Sequence, residues 1–148
     1  MATCDRGAPR VEKPVCPSAR PDWKGARIIG VVAGTVAEPR VRYLDRALPV
    51  IDEVLEMASP AAPTEVFRFA APCAKGACGH FRGNCCHLVE KVVAELPPVT
   101  RELPECSIRE SCRWFSQEGA PACWRCPRIV TDGPPLDPAL VAVTDPGR

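Results

Sequence analysis

The residues in this sequence that are best suited to chemistry are its cysteines. The chain has 148 residues, ten of them cysteine, and a cysteine that loses its proton is both a nucleophile and a metal ligand. Two of the ten, Cys4 and Cys16, lie near the N-terminus. The other eight lie in one stretch and are Cys73, Cys78, Cys85, Cys86, Cys106, Cys112, Cys123 and Cys126. Thiols at this density are expected to be paired in disulfides or bound to metal.

The sequence shows neither a secretory signal nor a run long enough to span a membrane, and this favours metal binding over disulfides. Residues 1–10 contain no apolar stretch of the kind that a secretory signal needs. The longest apolar run, residues 28–33, is too short to span a bilayer. We therefore expect a cytoplasmic protein without membrane association. Because cytosolic thiols are kept reduced, its cysteines are expected to bind metal rather than to form disulfides.

Seven of the clustered cysteines are the strongest candidate ligands. Cys123 and Cys126 form a C-x-x-C pair, a spacing that lets two thiolates bind one metal centre. Of the adjacent Cys85 and Cys86, the first is predicted to pack on the apolar face of a helix, so Cys86 is the favoured ligand. The predicted cofactor and metal ligands are Cys73, Cys78, Cys86, Cys106, Cys112, Cys123 and Cys126. Weaker candidates are His80, His87 and Cys85.

The spacing of these ligands favours an iron–sulfur cluster over zinc. Structural zinc sites usually take their ligands as two short pairs. The gaps between cysteines are long and uneven in this chain, which suits clusters whose ligands come from several elements. We expect one or two clusters, of the [4Fe-4S] type, with zinc as the alternative. The bacterial C-x₂-C-x₂-C-x₃-C-P and plant-type ferredoxin runs are both absent, so the sequence is assigned to no family.

Seven cysteines exceed the needs of one four-ligand centre, so two centres are considered. The first arrangement to test places Cys73, Cys78, Cys86 and Cys106 around one centre. The other centre then takes Cys112, Cys123 and Cys126, completed by His80, His87 or Cys85. Arrangements that mix the two halves are equally allowed by the sequence.

The predicted cofactor leads to a predicted function. We expect a small iron–sulfur protein that transfers electrons, senses redox state or serves as an accessory subunit, with a redox enzyme or another protein as its partner. The alternative is a zinc-stabilised module that binds protein or nucleic acid. The formal net charge of +1 does not indicate nucleic acid. No paired-carboxylate motif, G-x-S-x-G or phosphate-binding loop indicates an enzyme, although a cluster with an open iron site is a third hypothesis.

The elements that must position these ligands are predicted to form an α+β fold. The β-branched run of residues 28–32 and a second run at 41–44 predict a β-hairpin. A short helix is predicted over residues 48–57, and a strand over 66–69 leads into Cys73. The fold class is therefore a small β-hairpin and strand scaffold, followed by a Cys-rich, mainly helical metal-binding lobe.

Two helices are predicted in the lobe. Asn84 is a good N-cap residue, so the first is predicted to cover residues 85–96. The second is predicted over residues 107–118 and ends at Gly119, with Cys112 facing inward. The predicted segments are an irregular leader (1–22), a small α+β segment (23–72), the Cys-rich lobe (73–131) and a flexible tail (132–148). Cys4 and Cys16 are interpreted as incidental thiols of the leader, with an extra ligand or a redox-active tail as the alternative.

Overall fold

A four-stranded antiparallel sheet forms the first half of the molecule. The computed structural model describes residues 13–35, 37–131 and 138–145. The strands are β1 (Val15–Ala19), β2 (Arg27–Gly34), β3 (Pro39–Pro49) and β4 (Phe67–Pro72). Their spatial order is β1-β4-β2-β3, and every neighbouring pair is antiparallel. Helices α1 (Asp52–Glu56) and α2 (Pro63–Val66) connect β3 to β4.

The second half is a mainly helical lobe. A two-stranded hairpin, β5 (Phe81–Arg82) and β6 (Cys85–Cys86), leads into α3 (His87–Glu95). Three more helices follow: α4 (Arg113–Glu118), α5 (Ala120–Cys123) and α6 (Pro138–Thr144). Short 3₁₀ turns cover Lys75–Ala77, Arg109–Ser111 and Cys126–Arg128. The predicted α+β class is thus confirmed. None of the described helices is long and apolar enough to cross a bilayer.

The predicted hairpin is confirmed as β2 and β3, and it depends on a glycine. The pairing shifts register between Ile28 and Gly30. A Cβ atom at Gly30 would lie 2.7 Å from the Val41 side chain and 2.9 Å from the Arg42 carbonyl oxygen, so only glycine allows this close approach. β3 extends to Pro49, so the helix predicted over residues 48–57 is shorter and begins at Asp52.

The structure differs from the predicted leader and tail. β1 lies inside residues 1–22, where an irregular segment is predicted from the prolines. It is an edge strand, a position that tolerates Pro17. In the predicted tail, α6 places Val143 in the core with 1% of its surface exposed. Its contacts with α3 are non-local and leave no local pattern in the sequence.

Both predicted lobe helices begin later than expected. Asn84 has a left-handed backbone with φ of 62°, so it turns the β5–β6 hairpin instead of capping a helix. Cys86 is the N-cap of α3. In the second predicted helix, the 3₁₀ turn ends before Cys112, which is extended and is the N-cap of α4. The predicted end at Gly119 is confirmed.

The lobe has one apolar core that includes two of the predicted ligands. Its buried members are Cys86, Leu88, Val89, Val92, Leu96, Cys112, Trp114, Ala122, Ile129 and Val143. A smaller cluster on the sheet is formed by Ala19, Ile28, Phe69 and Ala71. Cysteines at the N-caps of two helices are therefore held by side-chain packing.

Candidate metal centre

Four cysteines that are spread along the lobe line one cavity. We call them the first cysteine group: Cys106, Cys112, Cys123 and Cys126. Three of them lie at element boundaries: Cys112 is the N-cap of α4, Cys123 ends α5 and Cys126 begins a 3₁₀ turn. All four are free thiols.

The cavity is narrow and largely apolar. Tyr43, Trp114 and Phe115 contribute aromatic walls, and Arg109 is its charged lining residue. The free space is about 20 Å³, which is room for one water molecule. Metal–sulfur bonds are shorter than van der Waals contacts. A bound metal centre would therefore occupy part of the volume that the four sulfur atoms fill now.

The thiols of the first cysteine group influence one another's protonation. Burial is the main cause that raises the pKa of Cys112, and the nearby Cys126 and Cys106 thiolates raise it further. Burial also raises the pKa of Cys123, as do Cys126 and Cys106, while the Arg109 guanidinium lowers it. Four thiolates in so small a space repel one another. A bound metal cation provides the positive charge that allows all four to ionise.

Three residues that line the cavity carry buried polar atoms without a hydrogen-bond partner. They are the Tyr43 hydroxyl, Arg109 Nε and Trp114 Nε1. All three groups are donors. A buried donor that lacks an acceptor costs about 1–3 kcal/mol, and native proteins contain few of them. The Tyr43 hydroxyl has the Cys126 thiol within interaction range, so Arg109 Nε and Trp114 Nε1 are the two lining donors that an acceptor in the cavity would satisfy.

A buried arginine on β4 contacts the first cysteine group. Arg68 has 1% of its surface exposed. Its guanidinium donates to the carbonyl oxygens of Pro17, Cys126 and Ile129, the last two at 2.9 Å. It also donates to Cys126 Sγ at 3.2 Å and lies over the Trp114 ring, 5.7 Å from its centroid. Arg68 thus ties the sheet to the cysteine cavity.

The charge of Arg68 is stabilised by its surroundings. Burial alone would lower its pKa, but interactions with Cys126, Tyr43 and Cys16 raise it above the ordinary value. The side chain therefore remains a cation. The sequence analysis did not identify Arg68 or Tyr43 as functional residues. One feature of the sequence could have identified Arg68 as functional, since it is the one charged residue in the otherwise apolar strand β4.

The remaining strong candidates lie with Cys16 in a second cysteine group, defined as Cys16, Cys73, Cys78 and Cys86. Burial raises the pKa of Cys86 to about 11, and the Cys73 and Cys78 thiolates contribute in the same direction. Burial raises the pKa of Cys16 to about 12, again with contributions from Cys86 and Cys73. The β1–β4 pairing places Cys16 opposite Ala71, two residues before Cys73.

This arrangement corrects the first pairing that the sequence analysis considered. Cys106 lies with Cys112, Cys123 and Cys126, and not with Cys73, Cys78 and Cys86. Cys16, interpreted as an incidental thiol, takes the place that Cys106 was expected to fill. The reason is the pairing of β1 with β4, which carries Cys16 to the strand that ends beside Cys73. Cys4 lies outside the described residues.

The weaker candidates have other environments. His87 Nδ1 lies 3.0 Å from the Glu90 carboxylate. Burial lowers the pKa of His80, and the charges of nearby lysine and arginine side chains lower it further. Neither histidine lines the cavity of the first cysteine group. Cys85 is disulfide-bonded, which contradicts for this residue the expectation that the cysteines form no disulfides, whereas Cys86 beside it is a free thiol. Of the two adjacent cysteines, only Cys86 has a thiol available to a metal.

In the part of the chain that the structure describes, no group of three or more His, Cys, Asp or Glu side chains is arranged to hold a metal ion. Comparisons with protein-family models, with curated proteins and with solved structures found no match to this chain.

Proposed function

We propose that this chain is a small cytoplasmic iron–sulfur protein whose first cysteine group binds a [4Fe-4S] cluster. Its role is to transfer electrons, to sense redox state or to serve as an accessory subunit of a redox enzyme. The main support is the cavity, where four free thiols occur together with two buried donors, Arg109 Nε and Trp114 Nε1, that lack an acceptor.

The unpaired donors favour a cluster over a zinc ion. Four thiolates suit either a Cys₄ zinc site or a [4Fe-4S] cluster. The sulfides of a cluster are acceptors, and hydrogen bonds to cluster sulfur tune the potential. Thiolate sulfurs accept hydrogen bonds in both kinds of site, and the sulfides of a cluster would add further acceptors for Arg109 and Trp114.

Charge and solvent exclusion also support this proposal. Arg68 and Arg109 bring two cations to a site that would carry net negative charge. Trp114 has 1% of its surface exposed and covers one side of the cavity. With four cysteines as ligands, every iron of the cluster has a protein ligand and none is open to a substrate. Electron transfer is therefore favoured over catalysis at this site.

The test is the metal content of protein purified without oxygen. We expect at least four iron and four acid-labile sulfide per chain, a brown colour and no stoichiometric zinc. Cys126→Ala should lose four of each, because Cys126 belongs to the first cysteine group. Cys85→Ala is the matched control and should keep all of them, since Cys85 is disulfide-bonded. Colourless protein with stoichiometric zinc and no sulfide would contradict the proposal.

A further inference from the structure

Cys106 lies between the cysteine cavity and an open cleft on the surface. The cleft has a volume of about 460 Å³. Two residues, Cys106 and Arg109, line both spaces. The remaining lining residues of the cleft are Leu44, Asp45, Glu105 and Ser107, and we call all six together the Cys106 cleft. Of the four thiols in the first cysteine group, all of which the structure describes, Cys106 is the one that lines this cleft.

Other walls of the cysteine cavity are buried. Ile29 and Trp114 each have only 1% of their surface exposed. The outer part of the Cys106 cleft is different, because Asp45 and Glu105 are exposed to solvent. A group bound by the first cysteine group would therefore come close to the protein surface on the Cys106 side.

A bulge in β3 forms one side of the cleft. The ladder between β2 and β3 shifts register, and its partners on β3 pass from Tyr43 directly to Leu48. Residues 44–47 therefore bulge out of the ladder, which bends the strand and redirects its side chains. Tyr43 lines the cysteine cavity, whereas Leu44 and Asp45 line the cleft. The sheet thus places a carboxylate at the mouth of the cysteine cavity.

The exposed charge of the cleft is negative. Asp45 and Glu105 are its exposed charged residues. The cation of the cleft, Arg109, donates to the Pro104 carbonyl and lies over the Phe115 ring, 5.9 Å from its centroid. Pro104 and Phe115 both line the cysteine cavity. The charge of Arg109 is therefore directed inward, and the two carboxylates form the outer rim.

We propose that the Cys106 cleft is the docking surface for an electron-transfer protein with a lysine- or arginine-rich face, and that electrons pass between this partner and the cluster at Cys106. The proposal rests on the proposed function, since it needs a cluster in the first cysteine group. The exchange moves one electron and makes or breaks no bond. Opposite charges on two surfaces speed their encounter and fix its orientation, so Asp45 and Glu105 select a cationic partner.

The first experiment probes the cleft without metal, in the full chain after removal of iron and reduction of its thiols. The protein is reacted briefly with a trimethylammonium or a sulfonate methanethiosulfonate, and mass spectrometry locates the modified cysteines. Within the first cysteine group we expect Cys106 to be modified first, and faster by the cationic reagent. Asp45→Asn with Glu105→Gln should reduce this charge preference several-fold. Asp52→Asn with Glu56→Gln is the matched control, because both carboxylates are exposed on α1 and line neither space.

The second experiment follows electron transfer by the cluster-loaded protein. Dithionite-reduced protein is mixed with hexaammineruthenium(III), a cationic one-electron oxidant, and the return of cluster absorption gives the rate. The double variant at Asp45 and Glu105 should react several-fold more slowly at low salt, and the control should match wild type. The difference should vanish at high salt, because the Debye length falls from about 10 Å at 0.1 M to about 3 Å at 1 M. With ferricyanide, an anion, the same variant should react no more slowly than wild type.

The outcomes separate the docking surface from the proposed function. Modification of Cys123 or Cys126 before Cys106 would overturn the docking surface, as would equal charge preferences in the double variant and the control. Iron-loaded protein whose oxidation rate does not depend on Asp45 and Glu105 would also overturn it and leave the cluster in place. Protein without iron would overturn the proposed function, and electron transfer at the cleft with it.

Discussion

At the scale of single residues, Arg68 has the most unusual environment. An arginine is seldom buried unless it is paired, and Arg68 is surrounded by three carbonyl oxygens and the Cys126 sulfur. Its guanidinium suits this position because it presents several donors in a fixed plane. Arg68 therefore holds β1, β4 and the last 3₁₀ turn together and places positive charge beside the first cysteine group.

Replacing Arg68 should destabilise the protein strongly. Arg68→Met removes the charge and leaves the carbonyl groups of Pro17, Cys126 and Ile129 without this donor. A buried carbonyl left without a donor costs about 1–3 kcal/mol, so we expect a loss of several kcal/mol in the free energy of unfolding. Arg68→Lys should lose less, because it keeps the charge and gives up the planar set of donors.

The measurement is anaerobic guanidinium chloride unfolding of the cluster-loaded protein. Arg46→Met is the matched control, since Arg46 is exposed on β3 and its loss should change little. Equal unfolding midpoints for Arg68→Met and Arg46→Met would show that Arg68 does not hold these elements together.

At the scale of elements, α4 connects the two cysteine groups. Its N-cap is Cys112 of the first cysteine group, and its Gln117 side chain, with 6% of its surface exposed, bonds the backbone of Cys86 in the second. A displacement of α4 would therefore disturb both groups at once. The sequence placed this helix but could not show that a glutamine on it is bonded to a hairpin.

Gln117→Leu tests this connection. Leucine is close to glutamine in volume but has no hydrogen-bonding atoms in its side chain, so the Cys86 N–H and carbonyl lose their partners. A buried unsatisfied group costs about 1–3 kcal/mol, and we expect a loss in that range for each of the two. Ser116→Ala on the same helix is the control, because it removes only a bond to the carbonyl of Arg113 within α4.

Thermal unfolding followed by circular dichroism checks the prediction for Gln117. If Gln117→Leu and Ser116→Ala unfold at the same temperature, the bonds to Cys86 do not contribute to stability. Faster loss of iron from Gln117→Leu than from Ser116→Ala would locate the effect at the cysteine groups.

At the scale of the whole molecule, the apolar cores are small for the length of the chain. One core has ten buried residues and the other has four. Two of the ten are cysteines predicted as metal ligands, Cys86 and Cys112. The proposed metal binding would therefore join the same segments that packing joins, and its free energy would add to the folding free energy.

Removing the metal should lower the stability of the whole protein. Protein freed of iron by a chelator under ferricyanide oxidation, then reduced, is expected to unfold at a lower temperature and less cooperatively than the loaded protein. Circular dichroism and the iron content are measured on the same samples. Rebuilding with iron and sulfide without oxygen should restore the original curve, and identical curves before and after removal would contradict the prediction.

Much of the scaffold was predictable because its signals are local. The β2–β3 hairpin follows from β-branched runs, and the end of α4 at Gly119 follows from the conformational freedom of glycine. β1 and α6 were missed because each is stabilised by a distant partner. Pro17 argues locally against a strand, and the residues of α6 resemble a linker until Val143 is seen packed in the core.

The sequence by itself determined the chemistry of this protein, since the number and types of its side chains make thiolate–metal chemistry the leading hypothesis. It could not determine which thiols act together, because ligand grouping depends on contacts between residues far apart in the chain. Only the tertiary structure moved Cys106 into the first cysteine group and brought Cys16 to Cys73 through the β1–β4 pairing. Only the folded structure places the charge of Arg68 between the two groups, where burial and three carbonyl groups keep it.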